Sequence, residues 1–212
     1  EDKIIKNKRK TLGLLRDLQQ AKSVGVIQED KTTGIIEIAK PVGVVAAVTP
    51  STNPAATPIN NILNALKGRN AIIISPSPAG QKVFQELLNY INHELDKISA
   101  PENLIQTLPS PVNKDLTKEL MKQVDLVIVT GSQNNVRAAY SSGTPAIGVG
   151  QGNVTVIIDE TCDLKDAARK IKLSKIFDYA TSCSSENNLV VVKKVYDEFI
   201  KLLELEDGLL LN

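Results

Sequence analysis

The chain has 212 residues, of which 42% are hydrophobic and 23% charged, and its 25 Lys and Arg against 24 Asp and Glu give a net charge of +1. The near-neutral charge argues against nucleic acid as the main partner, because neutralising phosphates needs an excess of cations. The composition is that of a globular protein with enough apolar residues for a core, and no apolar run reaches the roughly 18 residues of a membrane span.

Cysteine and histidine counts restrict the chemistry further. The chain has one histidine, His93, and two cysteines, Cys162 and Cys183. These are too few for a Cys/His zinc site or a disulfide framework, so we expect no bound metal. The pattern around His93 predicts an exposed helix residue rather than a member of a catalytic triad. Because no signal-peptide pattern precedes the cysteines, we expect a cytoplasmic protein.

Both ends of the chain predict a fragment of a longer protein. The first residue is Glu1 rather than Met, and residues 207–212 resemble a turn followed by the start of an apolar strand.

The first 39 residues predict a helix followed by a β-hairpin. Residues 1–23 place apolar side chains on one helical face and a basic cluster on the other, which we expect to be solvated. Residues 25–39 alternate around the turn at 31–34. The apolar positions are Ile4, Ile5, Leu12, Leu15 and Leu18, and the basic ones are Lys3, Lys6, Lys8, Arg9 and Lys10.

From residue 41 onward, short apolar strands alternate with amphipathic helices. This alternation predicts βαβ units and therefore an α/β fold with a doubly wound, mainly parallel, Rossmann-like sheet over residues 41–158. The predicted strands are 42–48, 71–74, 104–108, 126–129, 145–149, 154–158 and 189–192, and the predicted helices follow Asn53, contain Val83 to Leu95, and span 114–123, 133–141 and 163–174.

Ligands of such sheets bind beyond the carboxyl ends of the strands, which singles out the loops at 49–54, 75–79 and 130–133. Spacing alone favours Asn53 as a helix N-cap followed by Pro54. The Ser-Pro-Ser-Pro segment at 75–78 fits a nucleotide at a helix N-terminus, or a simple strand end and helix start. Gly131, between Thr130 and Ser132, fits a close ligand approach or a tight turn.

The glycine-rich run at 148–153 lies between two strands instead of opening a helix, so we interpret it as a close-packed crossing. Cys183 lies in a small polar loop, whereas Cys162 is flanked by carboxylates that disfavour a thiolate. If one cysteine is a nucleophile it is Cys183, and spacing alone leaves an inert thiol equally open.

Several segments together resemble the aldehyde dehydrogenase superfamily, specifically its coenzyme-A-acylating branch. The resemblance follows the family's order along essentially the whole chain. The segments are KPVGVV at 40–45, TPSTNP at 49–54, AAYSSG at 138–143 and SKIFD at 174–178. GSQNNVR at 131–137 and ATSCSSEN at 180–187 are most similar to members that act on sulfoacetaldehyde; acetaldehyde and succinate semialdehyde are the alternative substrates.

The resemblance implies a role for each candidate residue. Cys183 corresponds to the nucleophile that adds to the aldehyde, and Asn53 to the amide that stabilises the oxyanion. NAD or NADP accepts the hydride, and coenzyme A is the co-substrate. The cofactor-binding positions are Thr49, Pro50, Ser51, Ser75, Ser77, Pro78, Thr130, Gly131 and Ser132.

Two positions depart from the hydrolytic relatives. Their Glu-Leu-Gly-Gly motif supplies a carboxylate that activates water, whereas residues 148–151 here are GVGQ. A coenzyme A thiol has a pKa of about 8.5, so it needs less help from a base than water does to become a nucleophile. Pro78 stands where those relatives often carry a ribose-binding Glu, so no preference between NAD and NADP follows.

The resemblance also implies a domain organisation. Residues 1–174 would hold the helix, the hairpin and the cofactor-binding domain, and residues 175–212 would begin a truncated catalytic domain. The partners it implies are an aldehyde and coenzyme A, in a homo-oligomer without nucleic acid or membrane.

Overall fold

A computed structural model describes residues 1–211, which form two compact units. The N-terminal unit contains residues 3–150 with Glu1, and the C-terminal unit runs from Gln151 onward, with Asp2 assigned to it. The helices are α1 (Asp2–Gln19), α2 (Ala56–Lys67), α3 (Gln81–Lys97), α4 (Lys114–Gln123), α5 (Gln133–Tyr140), α6 (Leu164–Ile176) and α7 (Lys193–Leu205). The strands are β1 (Gly25–Asp30), β2 (Ile35–Ala39), β3 (Val44–Thr49), β4 (Ala71–Pro76), β5 (Ile105–Thr107), β6 (Leu126–Thr130), β7 (Ala146–Val149), β8 (Val154–Ile158) and β9 (Glu186–Val191).

The N-terminal unit is built on a five-stranded sheet in the order β5-β4-β3-β6-β7. Every neighbouring pair is parallel, which confirms the predicted doubly wound α/β fold. The central strand β3 is apolar along almost its whole length, as expected for a parallel strand covered on both faces.

Successive side chains of β3 point to opposite faces, so the sheet has two separate core layers. One layer packs β3 and β4 against α2 and α3, and the other packs β3 and β6 against α4 and α5. Val45, Ile72 and Phe84 belong to the first layer, and Val48, Val127 and Met121 to the second.

The predicted hairpin is confirmed, since β1 and β2 pair antiparallel and Gly34 takes a left-handed φ of 72° in the turn. The predicted orientation of α1 is wrong. Lys6, expected on a solvated face, is 4% exposed, whereas Ile4 and Leu12 are each 62% exposed. The face of α1 that contacts the rest of the unit includes Lys3 and Lys6, which donate to the carbonyl of Thr52. The apolar periodicity of the helix does not predict this face.

The C-terminal unit packs α6 and α7 around a core that contains Ile158, Ala168, Val195 and Phe199. Its strands β8 and β9 pair parallel in a sheet of their own, so the prediction that residues 41–158 form one sheet domain is wrong for β8. Hydrophobic periodicity identifies a strand without specifying its partner. The division of the whole protein after residue 174 concerns its domains and stays a prediction.

Two features of the C-terminal unit differ from expectation. Helix α7 has no counterpart among the predicted elements, although Val195 and Phe199 are spaced for one helical face. Residues 208–211 form no strand where an apolar strand was expected, and Asn212 lies outside the described residues. None of the helices within residues 1–211 combines the length and the apolar character needed to span a bilayer.

Candidate active site

The three candidate loops of the N-terminal unit lie side by side at the carboxyl edge of the sheet. In the strand register, Val48 pairs with both Ser75 and Val129, so the loops that follow β3, β4 and β6 leave the sheet at one level. The backbone N–H of Ser77 donates to the carbonyl of Thr49 over 3.1 Å, which joins the first two loops. The fold therefore brings together the segments predicted to bind the cofactor.

Asn53 lies in a turn and does not cap a helix. Helix α2 begins at Ala56, with Ala55 as its N-cap and no side-chain cap bond, so the predicted capping role is wrong. The helix starts late and takes Pro58 into its first turn, where a missing N–H costs no hydrogen bond. Asn53 is 7% exposed, and its Oδ1 has no hydrogen-bond partner within the described residues. A buried amide oxygen without a partner is unusual in a folded protein, and the catalytic role of Asn53 stays a prediction.

The segment at 75–78 ends β4 at Pro76 and starts a 3₁₀ turn at Pro78, an arrangement that fits both interpretations and leaves the nucleotide site a prediction. Ser75 is buried, and its Oγ lies 2.9 Å from Oγ1 of Thr117 on α4. The single proton of the Thr117 hydroxyl goes to the carbonyl of Asn113, so Ser75 is the donor in that pair. Ser77 caps the 3₁₀ turn at Pro78–Gly80 by accepting from the N–H of Gly80 over 3.2 Å.

The loop after β6 places a backbone bend beside the start of α5. Gly131 has a φ of 155°, and a Cβ built on it meets no atom within 4 Å. Ser132 caps α5 by accepting from the N–H of Asn135 over 3.3 Å. A helix N-terminus at the carboxyl edge of a parallel sheet is suited to an anionic group, while the cofactor roles of residues 130–132 stay predictions.

The glycine-rich run is a close-packed crossing, as predicted. A Cβ on Gly148 would lie 2.7 Å from Cγ1 of Val136, and one on Gly150 would lie 2.6 Å from Nε2 of Gln133. In the C-terminal unit, a Cβ on Gly152 would overlap the carbonyl oxygen of Cys183. The backbone at residue 152 and the candidate nucleophile loop therefore touch, and a side chain would separate them.

Cys183 is exposed in a loop preceded by three left-handed residues. Asp178, Tyr179 and Ala180 have φ angles of 52°, 55° and 58°, a conformation that costs each residue roughly 1–2 kcal/mol. The hydroxyl of Thr181 lies 2.8 Å from both the carbonyl and Oδ2 of Asp178, which closes this turn. The loop thus holds an accessible thiol on an ordered backbone.

The end of the same loop is anchored by side chains that sequence analysis missed. Asn187 donates through Nδ2 to the carbonyl of Gly152 over 3.0 Å and accepts at Oδ1 from Nζ of Lys175 over 3.1 Å. Asn188 donates to Oδ1 of Asn153 over 2.8 Å. The two consecutive asparagines at 187 and 188 could have predicted these anchoring bonds, because an amide side chain both donates and accepts hydrogen bonds.

Cys162 differs from Cys183 in its surroundings. It is half-buried and packs against the core of the C-terminal unit. Nearby, the hydroxyl and N–H of Thr161 donate to Asp159 and hold the pKa of that carboxyl below its usual value, so the negative charge expected beside Cys162 persists. This environment fits a packing role.

The remaining candidates concern His93, a possible metal site and the joint action of Asn53 with Cys183. His93 is exposed on α3, as predicted. No cluster of three or more His, Cys, Asp or Glu suited to a metal occurs in residues 1–211. Asn53 and Cys183 belong to different compact units, and their joint action stays a prediction.

Comparison with known proteins supplies a family. The chain is 59% identical over 212 residues to the sulfoacetaldehyde dehydrogenase (acylating) of Cupriavidus necator and spans 43% of that protein. Its fold matches an acetylating aldehyde dehydrogenase from Geobacillus thermoglucosidasius with a TM-score of 0.91 and 39% identity, covering the whole of this chain and 47% of the other. The chain thus spans less than half the length of either protein.

Two further structures were solved with bound molecules. A propionaldehyde dehydrogenase from Rhodopseudomonas palustris, with bound CoA and an acylated cysteine, matches 78% of this chain and 38% of its own, with a TM-score of 0.73 and 33% identity. An engineered glycolyl-CoA reductase with bound NADP+ has the same TM-score and identity, with the same 78% of this chain and 38% of its own covered.

The model of the aldehyde dehydrogenase family matches residues 2–206. This match covers nearly all of the chain and agrees with the fold. The chain belongs to the aldehyde dehydrogenase family.

Proposed function

We propose that the chain is the cofactor-binding part and nucleophile loop of a CoA-acylating aldehyde dehydrogenase. The reaction converts an aldehyde, CoA and NAD(P)+ into an acyl-CoA, NAD(P)H and a proton. The observation that best supports this proposal is the exposed thiol of Cys183. Its loop contacts the backbone at Gly152, and Asn187 donates a hydrogen bond to the Gly152 carbonyl. An accessible thiol on a fixed backbone is the arrangement that nucleophilic catalysis by cysteine requires.

Cys183 first adds to the aldehyde. Its sulfur forms a bond to the carbonyl carbon, and the oxygen takes a proton, which gives a thiohemiacetal on the enzyme. Residues 49–51 and 130–132 would hold NAD(P)+, which would supply the hydride acceptor; Cys183 holds the thiohemiacetal, whose carbon loses a hydride and whose hydroxyl loses a proton. Cys183 then carries the acyl group as a thioester, and the CoA thiol attacks this carbonyl and expels the Cys183 thiolate.

Asn53 is proposed to hydrogen-bond the oxygen on which negative charge develops. The donor to that oxygen would be the Nδ2 amide of Asn53, and no helix cap holds the side chain through Oδ1, which forms no hydrogen bond within the described residues. A donor at an oxyanion is worth roughly 3–4 kcal/mol of barrier.

The glycine-rich crossing favours CoA over water as the acyl acceptor. Residues 148–151 contain no carboxylate, and a Cβ at Gly148 would lie 2.7 Å from Cγ1 of Val136. Without a base at this segment, the thioester persists until a thiol arrives, because a thiol ionises far more readily than water.

The proposed cofactor site is the edge formed by residues 49–51, Ser75, Ser77, Pro78 and residues 130–132. Beyond β4 the positions corresponding to the ribose-binding segment carry no acid, so both NAD and NADP are proposed. The whole enzyme is proposed to be a cytoplasmic homo-oligomer.

The proposed aldehyde is sulfoacetaldehyde. The support is the 59% identity to the sulfoacetaldehyde dehydrogenase (acylating) of Cupriavidus necator. Acetaldehyde and succinate semialdehyde are the competing substrates. Steady-state kcat/KM for the three aldehydes discriminates among them, and equal values for acetaldehyde and sulfoacetaldehyde would remove the substrate assignment.

The acylating chemistry is tested by leaving CoA out. The full-length enzyme to which we assign the chain should reduce NAD(P)+ in steady state with CoA present. Without CoA, mass spectrometry should find one acyl group on Cys183. Sustained turnover in the absence of CoA would contradict an acylating mechanism.

Matched cysteine variants identify the nucleophile. Cys183→Ala should lower kcat by roughly 10³-fold or more, because no other group forms the covalent intermediate. Cys162→Ala should keep most of the activity, since Cys162 packs against the core. The reverse pattern would assign the nucleophile to Cys162.

A further inference from the structure

Helix α1 buries a lysine that its sequence pattern places on the solvated face, opposite the apolar one. Lys6 is 4% exposed, although long aliphatic residues of the same helix are solvent-exposed. Burying an ammonium group is costly unless it is bonded, so the position needs a polar partner. Its surroundings therefore show what this helix contacts.

Lys6 and Lys3 converge on the turn that carries Asn53. Both donate through Nζ to the carbonyl oxygen of Thr52, Lys3 over 3.1 Å and Lys6 over 3.5 Å. The two lysines are three residues apart and share one face of α1. All of these residues lie in the N-terminal unit.

We propose that Lys6 is a positioning residue for Asn53, an inference that rests on the proposed function. The Thr52 carbonyl belongs to the peptide group whose nitrogen is that of Asn53. Because a peptide group is planar, a hydrogen bond to its oxygen also restricts the direction of its N–H and of the next Cα. Lys6 thereby orients the Asn53 backbone from which the amide extends.

This restraint matters because the helix that follows does not hold Asn53. Helix α2 begins at Ala56 without a side-chain cap, and the Oδ1 of Asn53 is unpartnered within the described residues. An oxyanion donor acts only when it is fixed in advance at the place where charge develops. The contacts of the Lys3 and Lys6 ammonium groups with the Thr52 carbonyl, at 3.1 and 3.5 Å, supply part of that fixation.

Of the two lysines, Lys6 is the stronger candidate for positioning Asn53, because it is buried and Lys3 is not. Lys3 is exposed, where competition from water weakens a hydrogen bond, whereas the bond of Lys6 lies in a poorly hydrated environment. The aliphatic stem of Lys6 also fills space, so a test must remove the ammonium group without leaving a cavity.

The test uses Lys6→Met in the full-length enzyme, with Lys8→Met as the control. Methionine keeps most of the side-chain volume, and Lys8 is an exposed lysine of the same helix. Lys6→Met should lower kcat about ten- to hundredfold, a fraction of the loss caused by removing an oxyanion donor, and leave KM for NAD(P)+ unchanged. Lys8→Met should match the parent enzyme, and Lys6→Arg should recover most of kcat.

A double-mutant cycle separates positioning from a general structural role. In an Asn53→Ala background, Lys6→Met should change kcat by less than about twofold, because the residue it positions is absent. The rate of Cys183 alkylation by iodoacetamide should be the same with and without Lys6→Met. An equal loss of kcat in both backgrounds, or unchanged kcat in Lys6→Met alone, would overturn the proposal.

Two further controls complete the design. If Lys6→Met does not fold, Lys6→Leu, which also removes the N–H donors, enters the same cycle with the same expectations. An inactive parent enzyme would reject the proposed function itself, whereas an active parent with additive Lys6 and Asn53 effects would reject only the positioning role.

Discussion

Asn53 combines deep burial with an unpaired amide oxygen, and it is not part of a helix cap. A buried polar atom without a partner costs about 1–3 kcal/mol, so the Oδ1 of Asn53 does not stabilise the fold. The side chain contributes little to folding in this arrangement, and its value is expected to lie in catalysis.

Asn53→Ala therefore separates activity from stability. We expect kcat to fall roughly 10²–10³-fold, the usual cost of losing one oxyanion donor. The thermal midpoint should not fall below that of the parent protein, because no cap bond is lost and an unpaired buried oxygen is removed. A large fall in the thermal midpoint would show that Asn53 has a structural role instead.

Residue-scale predictions from sequence succeeded where the local pattern determines the environment. Cys183 was placed in a small polar loop because small polar residues surround it, and in the structure the residue is exposed. The burial of Lys6 could not be predicted, because it depends on the Thr52 carbonyl, which lies 46 residues away in sequence. The cap at Asn53 failed because the helix begins at Ala56, past the favourable Asn-Pro pair.

At some glycines of this chain, an added side chain would overlap a neighbouring segment. At Gly152 the neighbouring atom is the carbonyl of Cys183, a backbone atom that cannot rotate away. At Gly13, inside α1, a Cβ would meet nothing within 4 Å. The two glycines therefore form a matched pair for the same substitution.

Gly152→Ala should displace the nucleophile loop and reduce both activity and the Cys183 alkylation rate. Gly13→Ala should instead raise the free energy of unfolding by roughly 0.5–1 kcal/mol, because alanine is favoured in a helix interior. Urea unfolding and iodoacetamide kinetics measure the two effects. An unchanged alkylation rate in Gly152→Ala would contradict close packing at this contact.

Helices α6 and α7 are joined by a charged contact whose effect depends on pH. Nζ of Lys172 lies 2.8 Å from Oδ2 of Asp207, the residue that closes α7 with a left-handed φ of 65°. This bond lowers the pKa of Asp207 from its usual 3.8 and raises that of Lys172 from 10.5. The stabilisation is therefore present above the usual pKa of Asp207 and below that of Lys172. It is lost as the pH falls through the lowered value or rises through the raised one.

Lys172→Met should accordingly lower the thermal midpoint slightly at pH 7 and have no effect at about pH 2, where Asp207 is protonated. Lys165→Met, an exposed change on the same helix, is the control. Equal effects of Lys172→Met at both pH values would mean that its contribution is packing by the aliphatic stem. Differential scanning calorimetry across the acid range measures the difference.

The periodicity of the sequence predicted which segments are helices and which are strands, but not which strands pair with each other. Helix α4 and strand β8 have the predicted bounds, because their apolar spacing is unambiguous. The pairing of β8 with β9 joins segments about 30 residues apart and places β8 outside the five-stranded sheet. Strand pairing depends on such distant contacts, which a local pattern does not contain.

At the scale of the whole molecule, the chain divides its candidate chemistry between two compact units. The sheet edge and Asn53 lie in the N-terminal unit, and Cys183 lies in the C-terminal unit. Sequence alone predicted the doubly wound sheet, because strand and helix patterns alternate regularly. The boundary between the units follows from which strands pair, and it falls at Gly150, within the glycine-rich crossing.

The 212-residue chain, prepared alone, should bind NAD(P)+ weakly and turn over little or no aldehyde. It spans 43% of the length of the Cupriavidus relative, so contacts that the rest of such an enzyme makes with aldehyde and CoA would be missing, while the cofactor edge would be present. Reactant positioning can contribute roughly 7–11 kcal/mol to an enzymatic rate, and an incomplete site forfeits much of it. Fluorescence titration with NADH and assays of NAD(P)+ reduction would measure binding and turnover, with the full-length enzyme as the reference. Robust dehydrogenase activity from the isolated chain would show that its two units already form a complete site.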